Sequence, residues 1–194
     1  MPDFKTLLQI TCFSTDTAAQ RLAAEQLQSH YNFEINCLHL DPSVQFAHNG
    51  KGCTIAASMI SEGVVIFQNV TIGANQTYNH TSHEWEHLGN PVIGKNVIIA
   101  DGAKVVGPII IGDNTLIGTG AIITKDIPAN SIAYGVNKFK PRDPNYSPVF
   151  YKDMPHAPEI IAACEDVVAR IKGNKKIFCT RLASMTRNNK KASI

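Results

Sequence analysis

The chain has 194 residues, enough for one domain with a sizeable core. Its 18 basic and 16 acidic residues nearly balance, which gives no reason to expect a nucleic-acid footprint over the body. The five cysteines are widely spaced without a CxxC, which argues against a structural zinc site or a disulfide framework, and no stretch reaches the roughly eighteen apolar residues of a membrane span.

The opening PDFKTLLQITCFST has no basic start followed by a long apolar run, so the expectation is a cytoplasmic protein whose thiols stay reduced. Thr6 to Phe13 (TLLQITCF) predicts a short strand. Asp16 to His30 predicts a helix, opened by Thr15 or by Thr17, the latter with Gln20 as a capping box. Ala19, Leu22, Ala23 and Leu27 give that helix one apolar face. Residues 1–40 then read as a strand and helix cap over the open end of a repeat region, where unpaired backbone groups need cover.

Asn36 to Val44 leads into an irregular first coil. His48 lies there, in FAHNGKGCTI. Phe46 to Ile60 spans 14 residues, two more than two six-residue steps, so the chain bulges at this point. From Ser58 to Thr124 an aliphatic residue recurs every six positions: Ile60, Ile66 and Ile72, then Ile93, Ile99, Val105, Ile111, Ile117 and Ile123. A helix would throw period-six positions onto opposite faces, and a flat strand has no reason to favour multiples of six. A chain coiling round a triangular prism does, with one short strand per side and the aliphatic turned to the axis. Eighteen residues make one coil, so Ile60, Ile93 and Ile111 stack, as do Ile66, Ile99 and Ile117, and Ile72, Val105 and Ile123. This parallel β-helix is expected over residues 41–136.

Between Ile72 and Ile93 the step is 21 residues rather than six, so 15 are looped out within 74–90. The loop QTYNHTSHEWEHLGN gathers Tyr78, His80, His83, Trp85 and His87, a concentration that suits a lid or binding element. The spacing of its three histidines can be read as metal ligands, but one loop without a rigid surround makes a poor preformed zinc site, and no metal is expected. After about Ile132 the prolines of KFKPRDPNYSP end the repeat. The extension 137–194 holds an amphipathic helix over 158–172, with Ile160, Cys164, Val167, Val168 and Ile171 on one face, and a solvated basic tail.

The stretch VIGKNVIIADGAKVVGPIIIGDNTLIGTGAIITKDIPANSIAYGV resembles the hexapeptide-repeat acyltransferases. The resemblance implies a left-handed winding, a homotrimer, and acetyl-CoA lying in the groove between two solenoids. FAHNGKGCTIAASMISEGVVIFQNVTIGAN is similar to the serine acetyltransferase pattern, which places His48 on that family's catalytic histidine. Ala47 stands where the pattern has an aspartate, and Asn90 where it has a second histidine, leaving His87 as the nearest imidazole. By the same resemblance Ala100, Asp101, Thr119, Thr124 and Lys125 line the pantetheine arm, and Lys138, Lys140 and Arg142 meet the phosphates. Tyr78, His83, Trp85 and Asn90 are left to shape the acceptor or lid region.

The residue types suit the chemistry. A hydroxyl is hardly ionised at neutral pH, so its attack on a thioester needs a base titrating near neutrality, and histidine is the side chain that qualifies. No Ser/His/Asp or Cys/His nucleophile spacing is visible, so direct transfer without an acyl-enzyme is expected. The reading is an acetyl-CoA-dependent O-acetyltransferase acting on a sugar-like hydroxyl. The alternatives are serine O-acetylation, N-acetylation of an amino sugar nucleotide, a metal-dependent hydro-lyase resembling the γ-class carbonic anhydrases, and a non-catalytic scaffold.

Overall fold

The computed structural model describes residues 2–145, so the expected helix at 158–172 and the basic tail lie outside the described residues. The chain opens with two helices, α1 (Phe4–Phe13) and α2 (Thr17–Tyr31). The strand expected over Thr6 to Phe13 is therefore a helix. Asp3 caps it by accepting from the Thr6 amide at 2.8 Å, and Phe4 and Leu7, one turn apart, are both buried. A short apolar run fits helix and strand alike, and here the burial of one helical stripe decides. The second helix is capped by Asp16, which accepts from Ala18 and Ala19, and not by either threonine. Gln20 donates to the Ser14 carbonyl instead of closing a capping box. Ala23 and Leu27 are buried, whereas Leu22 is exposed.

The rest of the described residues form a three-sided parallel solenoid. Its strands are β1 (Glu34–Leu40), β2 (Gln45–Phe46), β3 (Thr54–Ile60), β4 (Val65–Ile66) and β5 (Thr71–Gly73). After an excursion the coils resume with β8 (Val92–Ile93), β9 (Ile98–Ile99), β10 (Lys104–Val106), β11 (Ile110–Ile111), β12 (Leu116–Ile117) and β13 (Ile122–Ile123). Then β14 (Ser131–Tyr134) pairs antiparallel with β15 (Lys138–Pro141), the last strand among the described residues. The excursion is a hairpin of β6 (Asn75–Asn79) and β7 (Glu84–Gly89), so the looped-out segment has regular structure of its own.

The pairing confirms the period. On the first face Leu40, Ile60, Ile93, Ile111 and Ile127 are successive partners. On the second they are Phe46, Ile66, Ile99, Ile117 and Ala133. On the third they are Ile35, Ile55, Ile72, Val105 and Ile123. Strand β3 bends through a corner and so contributes to both the third face and the first. The nine residues of the expected stacks are all 0% exposed. Each such side chain contributes on the order of 2 kcal/mol through burial.

The three corners differ. Between the first and second faces the left-handed turn position is held by Asn96, Asn114 and Asn130, at φ of 53°, 56° and 56°. Their side chains form a ladder, Asn96 Nδ2 to Asn114 Oδ1 at 3.3 Å and Asn114 Nδ2 to Asn130 Oδ1 at 3.2 Å. Between the second and third faces the same position is Asn69, then Gly102 and Gly120. The third corner carries the hairpin.

Candidate active site

His48 sits at the head of the second corner, in a 3-10 turn over Ala47–Gly50 that accommodates the extra residues of the first coil. Both His48 and Asn49 adopt left-handed backbone angles, at φ of 54° and 56°. The turn is fastened on both sides. Lys51 and Cys53 donate their amides back to His48 and Gly50 carbonyls, and Gly52 donates to the Tyr31 carbonyl at the end of α2. Gly50 must be glycine twice over, because its φ is +59° and a Cβ there would come within 2.6 Å of the Phe33 ring. Phe33 belongs to an edge-to-face cluster with Phe4 and Phe46, centroids 5.0 to 6.1 Å apart. The helical cap thus supports the histidine turn from behind.

The His48 imidazole is exposed and faces the Phe67 ring one coil on, with centroids 6.3 Å apart. The Phe67 carbonyl accepts from the buried Cys53 thiol at 3.1 Å. Burial pushes that thiol up from its ordinary range. Below them, Asn69 donates to Asp101 Oδ1 at 3.2 Å, and Lys104 Nζ donates to the Asn69 carbonyl at 3.1 Å and Thr71 Oγ1 at 2.9 Å. Gln68 holds its backbone carbonyl to the Gly102 amide, while its side-chain oxygen is buried without a partner among the described residues.

The expected donor residues fall into three groups. Ala100, Asp101 and Thr119 lie on the second corner beneath His48. Thr124 and Lys125 follow β13 at the third corner, where Thr124 is engaged by Asn137 through two hydrogen bonds of 2.7 and 2.8 Å. Lys138 and Lys140 are exposed on β15, and Arg142 donates to the Asn114 carbonyl on the first corner at 3.0 Å. Beneath Asn69 the second corner is bare: a Cβ added at Gly102 or Gly120 would meet nothing within 4 Å. An extended chain with amides can approach the backbone there, which fits a pantetheine arm.

His87 is in the hairpin, its Nδ1 accepting from the Gly89 amide at 3.1 Å, so one chain holds it on a different corner from His48. Tyr78 and Trp85 are cross-strand partners with centroids 5.6 Å apart, Tyr78 also meets His80, and His83 lies at the tip with φ of 56°. Asn90 closes the hairpin's base; its carbonyl accepts from Ser58 and its side-chain oxygen is buried without a partner among the described residues. Among the described residues no three His, Cys, Asp or Glu side chains converge as a metal site. Asn69, Phe67 and Lys104 were not singled out from the sequence. No spacing marks them, because they meet His48's corner through stacking of distant segments.

Residues 90–125 match the family described as bacterial transferase hexapeptide (six repeats). Serine acetyltransferase of Helicobacter pylori is 33% identical over 91 residues, covering 46% of this chain and 49% of that one. Over its hexapeptide repeats the chain is similar to serine acetyltransferases. Among solved structures, Neisseria gonorrhoeae serine acetyltransferase superposes with a TM-score of 0.54 at 21% identity, covering 73% of this chain and 52% of that one. A serine acetyltransferase in complex with CoA gives 0.52 at 22% identity, with 68% and 52% covered. These two share the fold. The chain spans less than half the length of the curated relatives it matches, between 31% and 49% of the first three.

Proposed function

We propose that this protein transfers an acetyl group from acetyl-CoA to the hydroxyl of a small acceptor, with His48 as general base. The observation that carries this is the exposed His48 at the head of an edge left bare at Gly102 and Gly120. Acetyl-CoA supplies the electrophilic thioester carbonyl. His48 accepts the hydroxyl proton as the oxygen attacks, the C–S bond breaks, and the imidazolium returns the proton to the departing thiolate. Positioned base catalysis of this kind contributes on the order of a hundred- to ten-thousandfold, and holding both substrates along one edge adds a proximity term. Small residues along the edge admit the pantetheine arm, and Lys138 and Lys140 supply charge for its phosphates.

The relatives favour an amino-acid hydroxyl such as that of serine over a sugar as the acceptor. Ala47 and Asn90, where the serine pattern has an aspartate and a histidine, favour an altered acceptor pocket. Because one chain separates His87 from His48, the reading includes a left-handed homotrimer in which a neighbour's hairpin approaches the His48 corner. The test is thiol release from acetyl-CoA with L-serine, neutral sugars and amino sugar nucleotides, alongside His48→Ala and light scattering for the assembly. Wild-type protein that releases no thiol with any of these acceptors would sink the proposal.

A further inference from the structure

We infer that Lys104 reads a carboxylate on the acceptor, so that the acceptor is a small hydroxy acid rather than a neutral sugar; this rests on the O-acetyl transfer reading of the same corner. Lys104 opens β10 on the outside of the third face, in register with Thr71 and Ile122. It is half-buried, and its ammonium is held by two neutral oxygens, Thr71 Oγ1 and the Asn69 carbonyl. An ammonium has three N–H donors, so one is left for a ligand. Among the described residues no carboxylate lies within ion-pair distance of it. Asp101, the acidic neighbour, is engaged by Asn69 Nδ2.

A half-buried cation served only by neutral oxygens is incompletely compensated, and an anion placed at its free donor makes a charge-assisted hydrogen bond. The two bonds also draw the ammonium toward the first coil. Thr71 pairs with Thr54, and the Asn69 amide donates to Lys51 of the His48 turn at 2.9 Å. The ammonium therefore stands about one strand spacing, roughly 5 Å, from the level of the base. The donor's phosphates do not suit this place. Lys138 and Lys140 lie on β15, five strand steps from the His48 level, or about 24 Å along the axis. An anion beside Lys104 consequently belongs to the acceptor. One free N–H, with Asp101 close by, matches a singly charged carboxylate better than a phosphate, whose second charge would stay uncompensated.

The experiment compares L-serine and L-homoserine with their carboxamides, which differ only in the anionic group, in thiol release from acetyl-CoA. Wild-type protein should favour the acids in kcat/KM by about tenfold or more, as a hydrogen bond between charged groups allows. Lys104→Met should erase that preference by raising the KM of the acids far more than that of the carboxamides, whose neutral carbonyl makes the weaker bond, with the acetyl-CoA KM unchanged. Lys104→Arg should restore part of the preference. Equal use of acid and carboxamide by wild-type protein would overturn the inference, as would a Lys104→Met variant that loses kcat equally on both. Calorimetric titration of L-serine into wild-type, His48→Ala and Lys104→Met proteins separates the two readings. Binding that survives His48→Ala and is lost in Lys104→Met supports Lys104 even if no thiol is released; wild-type protein that neither binds L-serine nor prefers the acids rejects Lys104's role.

Discussion

The His48 imidazole and the Phe67 ring face one another across adjacent coils, 6.3 Å between centroids and tilted by 54°. The contact restricts the ring of an otherwise exposed residue, and Phe67 in turn is tied to the first coil by the Cys53 thiol on its carbonyl. Truncation to Phe67→Ala should lower kcat roughly ten- to a hundredfold by loosening the base, with acetyl-CoA binding unchanged. A variant with wild-type kcat would show that the ring does not orient the imidazole.

The left-handed backbone of His48 separates catalysis from folding. Glycine adopts φ of 54° without the steric cost that a Cβ carries, about 1 kcal/mol or more. His48→Gly should therefore match or exceed wild type in urea stability while losing on the order of a hundred- to ten-thousandfold in thiol release. Loss of stability in step with loss of activity would assign the residue to the fold.

Asn114 sits in the middle of the asparagine ladder, accepting from Asn96 and donating to Asn130. Asn114→Ala gives up both bonds and places a less tolerant residue at φ of 56°. The expected cost is about 2 kcal/mol in chemical denaturation, with Asn114→Gly less damaging. Equal losses in the two variants would mean that backbone strain contributes nothing at this corner.

Core and hairpin should respond oppositely to truncation. Ile99 is 0% exposed between Ile66 and Ile117, so Ile99→Ala should cost about 2–5 kcal/mol. Trp85 is 70% exposed on the hairpin, and Trp85→Ala should leave the thermal midpoint unmoved. Its effect, if the hairpin serves the acceptor, is on acceptor KM. A large fall in melting temperature for Trp85→Ala would place the hairpin in the fold's stabilising core.

Burial raises the Cys12 thiol from 9.0 to about 11, with the neighbouring Cys37 adding to the shift. At pH 8 its thiolate fraction, and hence its alkylation by iodoacetamide, should be roughly a hundredfold below that of the unfolded chain. As pH rises past 9 the unfolded state releases this proton first, so the contribution to stability falls between pH 9 and about 11. Rapid labelling of native Cys12 at pH 8 would contradict this burial.

What the sequence alone established is the inside of the molecule. The six-residue step named the stacked residues Ile60 through Ile123, and the surplus before Ile60 located the bulge that bears His48. Burial of a repeated side chain is felt at every repeat, so inward positions carry a period that survives in the chain. The helix at Phe4–Phe13 was misread because a short apolar run leaves helix and strand equally open until a partner surface, here Leu27 and Phe33, selects one stripe. Outer faces carry no such period. That Lys104 meets Thr71, 33 residues earlier, or that one corner is closed by asparagines while another lies open at Gly102 and Gly120, depends on which coils stack after the hairpin has been looped out. Only the folded chain decides these meetings, because polar contacts on a solvated surface are set by geometry in space rather than by spacing along the chain.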